Sequence, residues 1–92
     1  MKIVQSKPII SLKKGDKIKI NGRSFEVDAN ILLIDHNETT KEMALEIFDA
    51  KKDEDFQLRY FPHDLEGSFE FYELQNGFMY TRIKDELKSV EW

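Results

Sequence analysis

The sequence predicts a single all-β domain, a small barrel or β-sandwich of about five to seven mainly antiparallel strands. Three observations carry that prediction. Two Asn-Gly dipeptides, Asn21-Gly22 and Asn76-Gly77, each stand between short apolar alternations. Such a dipeptide supplies the two positive-φ positions of a tight hairpin turn. Apolar residues recur with period two at 17–20, 25–29 and 56–60, the pattern of a strand buried on one face. Finally, 92 residues suffice for one core and leave little room for helix between so many short strands.

Taken in order, residues 1–11 hold the apolar pairs Ile3-Val4 and Ile9-Ile10, separated by a stretch ending in Pro8. Proline has no N–H to give a ladder, so this arm is an edge strand or an extended lead-in. Gly15, in Lys13-Lys14-Gly15-Asp16, marks a turn. Ile18 and Ile20 alternate with Lys17 and Lys19 before the first Asn-Gly, and Phe25, Val27 and Ala29 resume the alternation after it. At Ile31 to Ile34 the apolar residues become continuous, which predicts a strand covered on both faces or bent sharply, as in a barrel wall.

A polar connection follows at 35–41. Residues 42–49 read two ways: Met43, Leu45 and Ile47 alternate as in a strand, while Met43, Ile47 and Ala50 also fit helical spacing, with Thr39 or Thr40 as a cap. The short length and the flanking strands favour a strand. The run 51–55 is a solvated loop, Pro62 ends the strand 56–60, and 63–67 turns. A two-residue turn at Asn76-Gly77 would set Gln75 against Phe78 and Leu74 against Met79. Phe69, Phe71, Phe78 and Tyr80 then share one face; Tyr72, Leu74, Met79 and Ile83 share the other. The tail adds a last short strand around Val90 and Trp92.

Composition narrows the function classes. The chain has no cysteine, so disulfides, thiolate metal sites and a cysteine nucleophile are excluded, and a reducing, cytoplasmic setting is expected. No apolar run approaches the length of a signal sequence or a membrane span, so no membrane partner is expected. The net charge of −4 conceals an asymmetry, since residues 1–24 carry seven basic side chains against one acidic and the remainder is strongly acidic. That balance excludes a uniformly basic nucleic-acid binder while allowing a local basic face.

The stretch Leu12 to Val27, LKKGDKIKINGRSFEV, resembles the opening of SH3-like small β-barrels of the kind found in the N-terminal domain of bacterial elongation factor P. The resemblance implies a barrel fold. In that family the next loop is glycine-rich and carries a modified lysine. Here it is Asp-His-Asn-Glu-Thr-Thr-Lys, so Lys41 does not inherit that role.

Three surfaces are candidates for function. The aromatics concentrate between 56 and 80, and a hairpin apolar on both faces points to an interface. The leading expectation is therefore a non-catalytic interaction module. It would bind a protein partner or itself through Phe69, Phe71, Tyr72, Leu74, Phe78, Met79 and Tyr80. The alternative is a small RNA-binding barrel using Lys13, Lys14, Lys17, Lys19 and Arg23 as a polyanion face. A third reading is a metal-dependent enzyme around His36 and His63, each beside an aspartate. No His-Glu-x-x-His, calcium loop, nucleophile elbow or phosphate-binding glycine loop occurs, so neither a cofactor nor an enzymatic activity is expected.

Overall fold

The structure is a computed structural model and describes residues 1–37 and 40–92. Asn21 and Gly22 take φ of 52° and 80°, the left-handed pair that the predicted turn requires. They join β2 (Lys17–Ile20) to β3 (Arg23–Asp35), with Ile18 opposite Phe25 and Ile20 opposite Arg23. β1 is Lys2–Val4, β4 Lys41–Asp49, β5 Glu54–Tyr60, β6 Glu70–Gln75, β7 Met79–Arg82 and β8 Ser89–Glu91. The segment 42–49 is thus strand, in keeping with its alternation. Asp64 accepts from the Gly67 N–H to cap a single helical turn at Leu65–Ser68, where the sequence suggested only a turn. Of the two candidate caps for a helix at 42–49, Thr40 instead precedes β4 and Thr39 lies outside the described residues.

Among the described residues eight strands form one sheet in the order β1-β8-β2-β3-β4-β5-β6-β7, antiparallel except for the β1–β8 pair. The count exceeds the expected five to seven because the lead-in and the tail each supply a three-residue strand. The sheet is not closed, and β1 and β7 are its free edges. It nevertheless curls: Phe25 on β3 lies 5.1 Å from Phe56 and 5.8 Å from Phe71, ring centre to ring centre, although β4 and β5 separate β3 from β6. Phe56 and Phe71 stack at 5.2 Å. These rings, with Ile18, Val27, Leu45, Ile47, Leu58 and Val90, form the core. Among the described residues no helix is long and apolar enough to cross a membrane.

β3 is long, at thirteen residues, and its pairing with β4 slips twice, between Val27 and Ala29 and between Leu32 and Ile34. Each slip is a bulge that bends the strand and increases its twist, the sharp bend foreseen for the apolar run. Cover on both faces does not follow. Beyond Asn30 the strand passes the end of the core, and Ile31, Leu32 and Ile34 are exposed.

Asn30 sits at that boundary. The two N–H groups of its side-chain amide are shared among the carbonyls of Ile9 and Leu12, each at 3.1 Å, and of Ile10 at 3.2 Å. The Tyr60 hydroxyl donates to Asn30 Oδ1 at 2.7 Å. One side chain therefore ties the 3₁₀ turn at Ile9–Ser11, which inserts Ile9 into the core, to β3 and β5. Asn21 acts similarly on the tail, accepting from the N–H groups of Lys88 and Ser89 at 2.6 and 3.1 Å and donating to the Glu86 carbonyl at 2.9 Å. That is how β8 reaches the edge of β2.

The second Asn-Gly hairpin departs from expectation by one residue. Asn76 and Gly77 have φ of 54° and 80°, and the Phe78 N–H donates to the Gln75 carbonyl at 3.2 Å. Phe78 then falls outside the ladder, so Gln75 pairs with Met79 and Leu74 with Tyr80. The loop has three residues, the last a bulge, and every β7 side chain changes face. Tyr80 shares its face with Tyr72 and Leu74 rather than with Phe69 and Phe71.

Asn30→Ala is expected to cost roughly 2 kcal/mol or more in urea unfolding, because a buried hydroxyl and several carbonyls lose their partner. Tyr60→Phe should cost about 1 kcal/mol, and the double variant less than the sum. Burial holds the Tyr60 hydroxyl protonated up to about 12, against 10.0 for an ordinary tyrosine. The folded chain thus keeps a proton that the unfolded chain loses. Stability present below pH 10 should decline between pH 10 and 12, and Tyr60→Phe should flatten that decline.

Candidate functional site

Four surfaces carry the residues that matter for function. The first is the aromatic hairpin. Phe69 and Phe71 are buried in the core, which corrects their expected place at an interface: the curl of the sheet turns that face inward. Tyr72, Leu74 and Tyr80 are half-buried on the outer face. There the Arg59 guanidinium lies 3.8 Å above the Tyr72 ring and its Nε donates to Gln57 Oε1 at 2.7 Å. Tyr72 donates to Glu70, which also meets Arg82 at 3.0 Å, and Tyr80 donates to Glu46 at 3.2 Å. Burial raises both tyrosines, Glu70 adding to the effect at Tyr72, and burial with the Glu46 charge pushes Tyr80 up to about 12. These hydroxyls are weak acids engaged in holding β4 to β7 together, and none is primed as a nucleophile. Only Phe78, 81% exposed, and Met79 stand free at the tip.

The second surface is the end of β3. Ile31 pairs with Ala44 and Ile34 with Glu42, on one face; Leu32 pairs with Met43, on the other. Ile10 is held beside them through its carbonyl on Asn30. These four aliphatic side chains are between 36% and 55% exposed. The sequence signal was present in the continuous apolar run, but its pattern alone does not say whether the cover comes from the same chain.

The lysine face is the third. Lys17 bridges Glu26, and Lys7 meets Asp16 at 2.9 Å, which lowers the Asp16 carboxyl below its ordinary range. Arg23 is held by Asp49 at 2.9 Å and Glu54 at 3.2 Å, with its guanidinium about 5 Å from the Phe25 and Phe56 rings. The same contact depresses the Asp49 carboxyl, which also accepts from the backbone of the turn at Lys51 and Lys52. Arg23 is therefore structural, whereas Lys17 forms an exposed surface pair with Glu26. Lys13, Lys14 and Lys19 have no ion-pair partner among the described residues. Lys19 borders an open groove of about 830 Å³ shared with Phe48, Lys51 and Trp92.

The histidines are the fourth. The His36 ring lies 5.9 Å from that of Phe61, while His63 is exposed in the turn before the helical segment. Among the described residues no group of three or more His, Asp or Glu side chains is placed to hold a metal ion.

Comparison with protein-family models, curated proteins and solved structures finds no match to this chain.

In an alkaline titration followed at the tyrosinate absorbance, all three tyrosines are expected to ionise above pH 10, Tyr60 and Tyr80 near 12. Glu46→Gln should bring Tyr80 back toward 10 by removing the adjacent negative charge. A hydroxyl titrating below 10 would contradict this account of the outer face.

Proposed function

We propose that the chain is a non-catalytic protein-interaction module and that the end of β3 is its docking surface. One observation carries this reading: in a run that is apolar on both faces, Ile31, Leu32 and Ile34 are exposed, with Ile10 beside them, and the described residues leave only Leu33 half-buried. An isolated exposed leucine needs no explanation, but a cluster of branched aliphatics at one end of a sheet marks a contact surface. The partner is a protein or a second copy of this chain. The rings 56–80 support the module mainly by forming its core and bracing its outer face.

A second docking surface is favoured by the free edge of β7. The Ile83 N–H donates to the Phe71 carbonyl at 2.8 Å, which fixes the phase of the antiparallel ladder. By that alternation the main-chain groups of Tyr80 and Arg82 point away from β6, where an added strand would bind beside Phe78 and Met79. The RNA reading is weakened by the internal pairing of Lys17 and Arg23. The SH3-like resemblance of 12–27 is supported by the hairpin at Asn21-Gly22 and the curl that brings Phe25 against Phe71, while the unclosed edge sets this sheet apart.

Sedimentation over a wide concentration range, together with capture of partners, tests the proposal. Leu32→Asp with Ile34→Asp should abolish association while leaving the melting midpoint near its original value, since both side chains are already exposed. Phe78→Asp with Met79→Asp should abolish it only if the partner adds to β7. A chain that stays monomeric at high concentration and captures nothing overturns the reading.

A further inference from the structure

The end of β3 presents a sheet edge as well as its aliphatic side chains. Pairing with β2 stops at Glu26, and Val27 beyond it bonds on that side only to the turn at Gly15 and Asp16. From Asp28 to Asp35 the strand therefore has β4 on one side and no strand on the other. At the far end of the β3–β4 hairpin the His36 N–H donates to the Thr40 carbonyl at 3.0 Å. β4 pairs with β5 without a slip, so its even-numbered residues bond to β3 and its odd-numbered ones to β5. Asn30, Leu32 and Asp35 stand opposite Leu45, Met43 and Lys41, and their main-chain groups consequently point outward. Among the described residues no main-chain hydrogen bond meets those groups.

Such an edge pairs with another strand unless proline, charge or a covering loop blunts it. The two bulges confine its regular stretch to 29–32, and no charge or proline stands there. Ile31 lies on one face and Leu32 on the other, both exposed. A partner docked on one face would leave the other uncovered, whereas a strand added along the edge flanks both. The two ends of the edge differ in charge. Lys13 and Lys14 less Asp28 leave one net positive charge beside Val27, and Asp35 and Glu42 less Lys41 leave one net negative charge at the hairpin end. None of these side chains has an ion-pair partner among the described residues. An apolar edge with oppositely charged ends is complementary to a second copy of itself running antiparallel.

We infer that two copies of this chain pair edge to edge along β3, antiparallel about a two-fold axis at Ile31. The inference rests on the end of β3 being the docking surface and names its occupant. Asn30 of each copy stands opposite Leu32 of the other, and each such pair exchanges both N–H···O bonds. The two Ile31 side chains meet on the outer face. Leu32 of one copy lies beside Asn30 of the other and against the Ile10 that this asparagine holds. Asp35 reaches the turn of Lys13 and Lys14 in the other copy. The symmetry forms every one of these contacts twice.

The chain has no cysteine, so Ile31→Cys places a single thiol on the proposed axis. Directly opposed residues of a non-bonded antiparallel pair have Cα atoms about 4.5 Å apart, within reach of a disulfide. With oxidised glutathione this variant should form a covalent dimer much faster than Phe78→Cys, whose thiol lies at the tip before β7. In sedimentation the unaltered full chain is expected to dimerise with a Kd of about 0.1 mM, as suits a small interface. Asp35→Lys should raise that Kd about tenfold, because each dimer contains the ion pair twice. Adding Lys13→Asp and Lys14→Asp should return it to within about threefold of the original. All these positions are exposed, so the variants retain the fold. A chain that stays monomeric well above that concentration overturns the inference. If it then captures a protein that is lost with Leu32→Asp and Ile34→Asp, the docking surface stands with a different occupant. A dimer in which Ile31→Cys cross-links no faster than Phe78→Cys, or in which the charge swap brings no rescue, overturns it as well.

Discussion

The amide of Asn30 is the contact on which most of this structure depends. A sheet of eight strands that is not closed must still bury one face, and it does so by curling until Phe25 on β3 meets Phe71 on β6. The curl needs the bulges of β3, and the mouth it leaves needs a plug. Ile9 and Leu12 are that plug, held because Asn30 binds their carbonyls and receives the Tyr60 hydroxyl. An apolar residue at position 30 would leave these groups without a partner, which is why a polar side chain stands in an otherwise apolar strand.

That boundary also divides the molecule functionally. On one side of Asn30, β3 contributes Phe25 and Val27 to a packed interior. On the other, the same strand continues with Ile31, Leu32 and Ile34 at the surface. A single strand thus serves as core and as contact surface, separated by one hydrogen-bonded side chain. The second aromatic-rich hairpin, at the other end of the chain, is mostly internal structure: its rings fill the core or are braced by Arg59, Glu70 and Glu46.

Electrostatics follow the same logic of local use. The basic excess of the first 24 residues does not survive as a continuous positive face, because Lys7, Lys17 and Arg23 are matched with carboxylates. Arg23 and Asp49 lock the turn after β4 to the start of β3, with the guanidinium lying on two core rings. Lys13, Lys14 and Lys19 have no ion-pair partner among the described residues.

The sequence by itself determined the all-β class, the two hairpin turns, the strand character of 42–49 and most strand positions. These depend on φ at Asn-Gly and on alternation along a strand, both properties of neighbouring residues. Tertiary structure decided the rest. Whether Lys17 and Arg23 are free depends on Glu26, Asp49 and Glu54, and Arg23 lies 26 residues from Asp49. The docking of β8 depends on Asn21, 67 residues before Lys88. The bulge at Phe78 and the exposure of Ile31, Leu32 and Ile34 likewise follow from where the core ends. Periodicity records which residues are apolar; only the folded chain shows which of them it has the surface to cover.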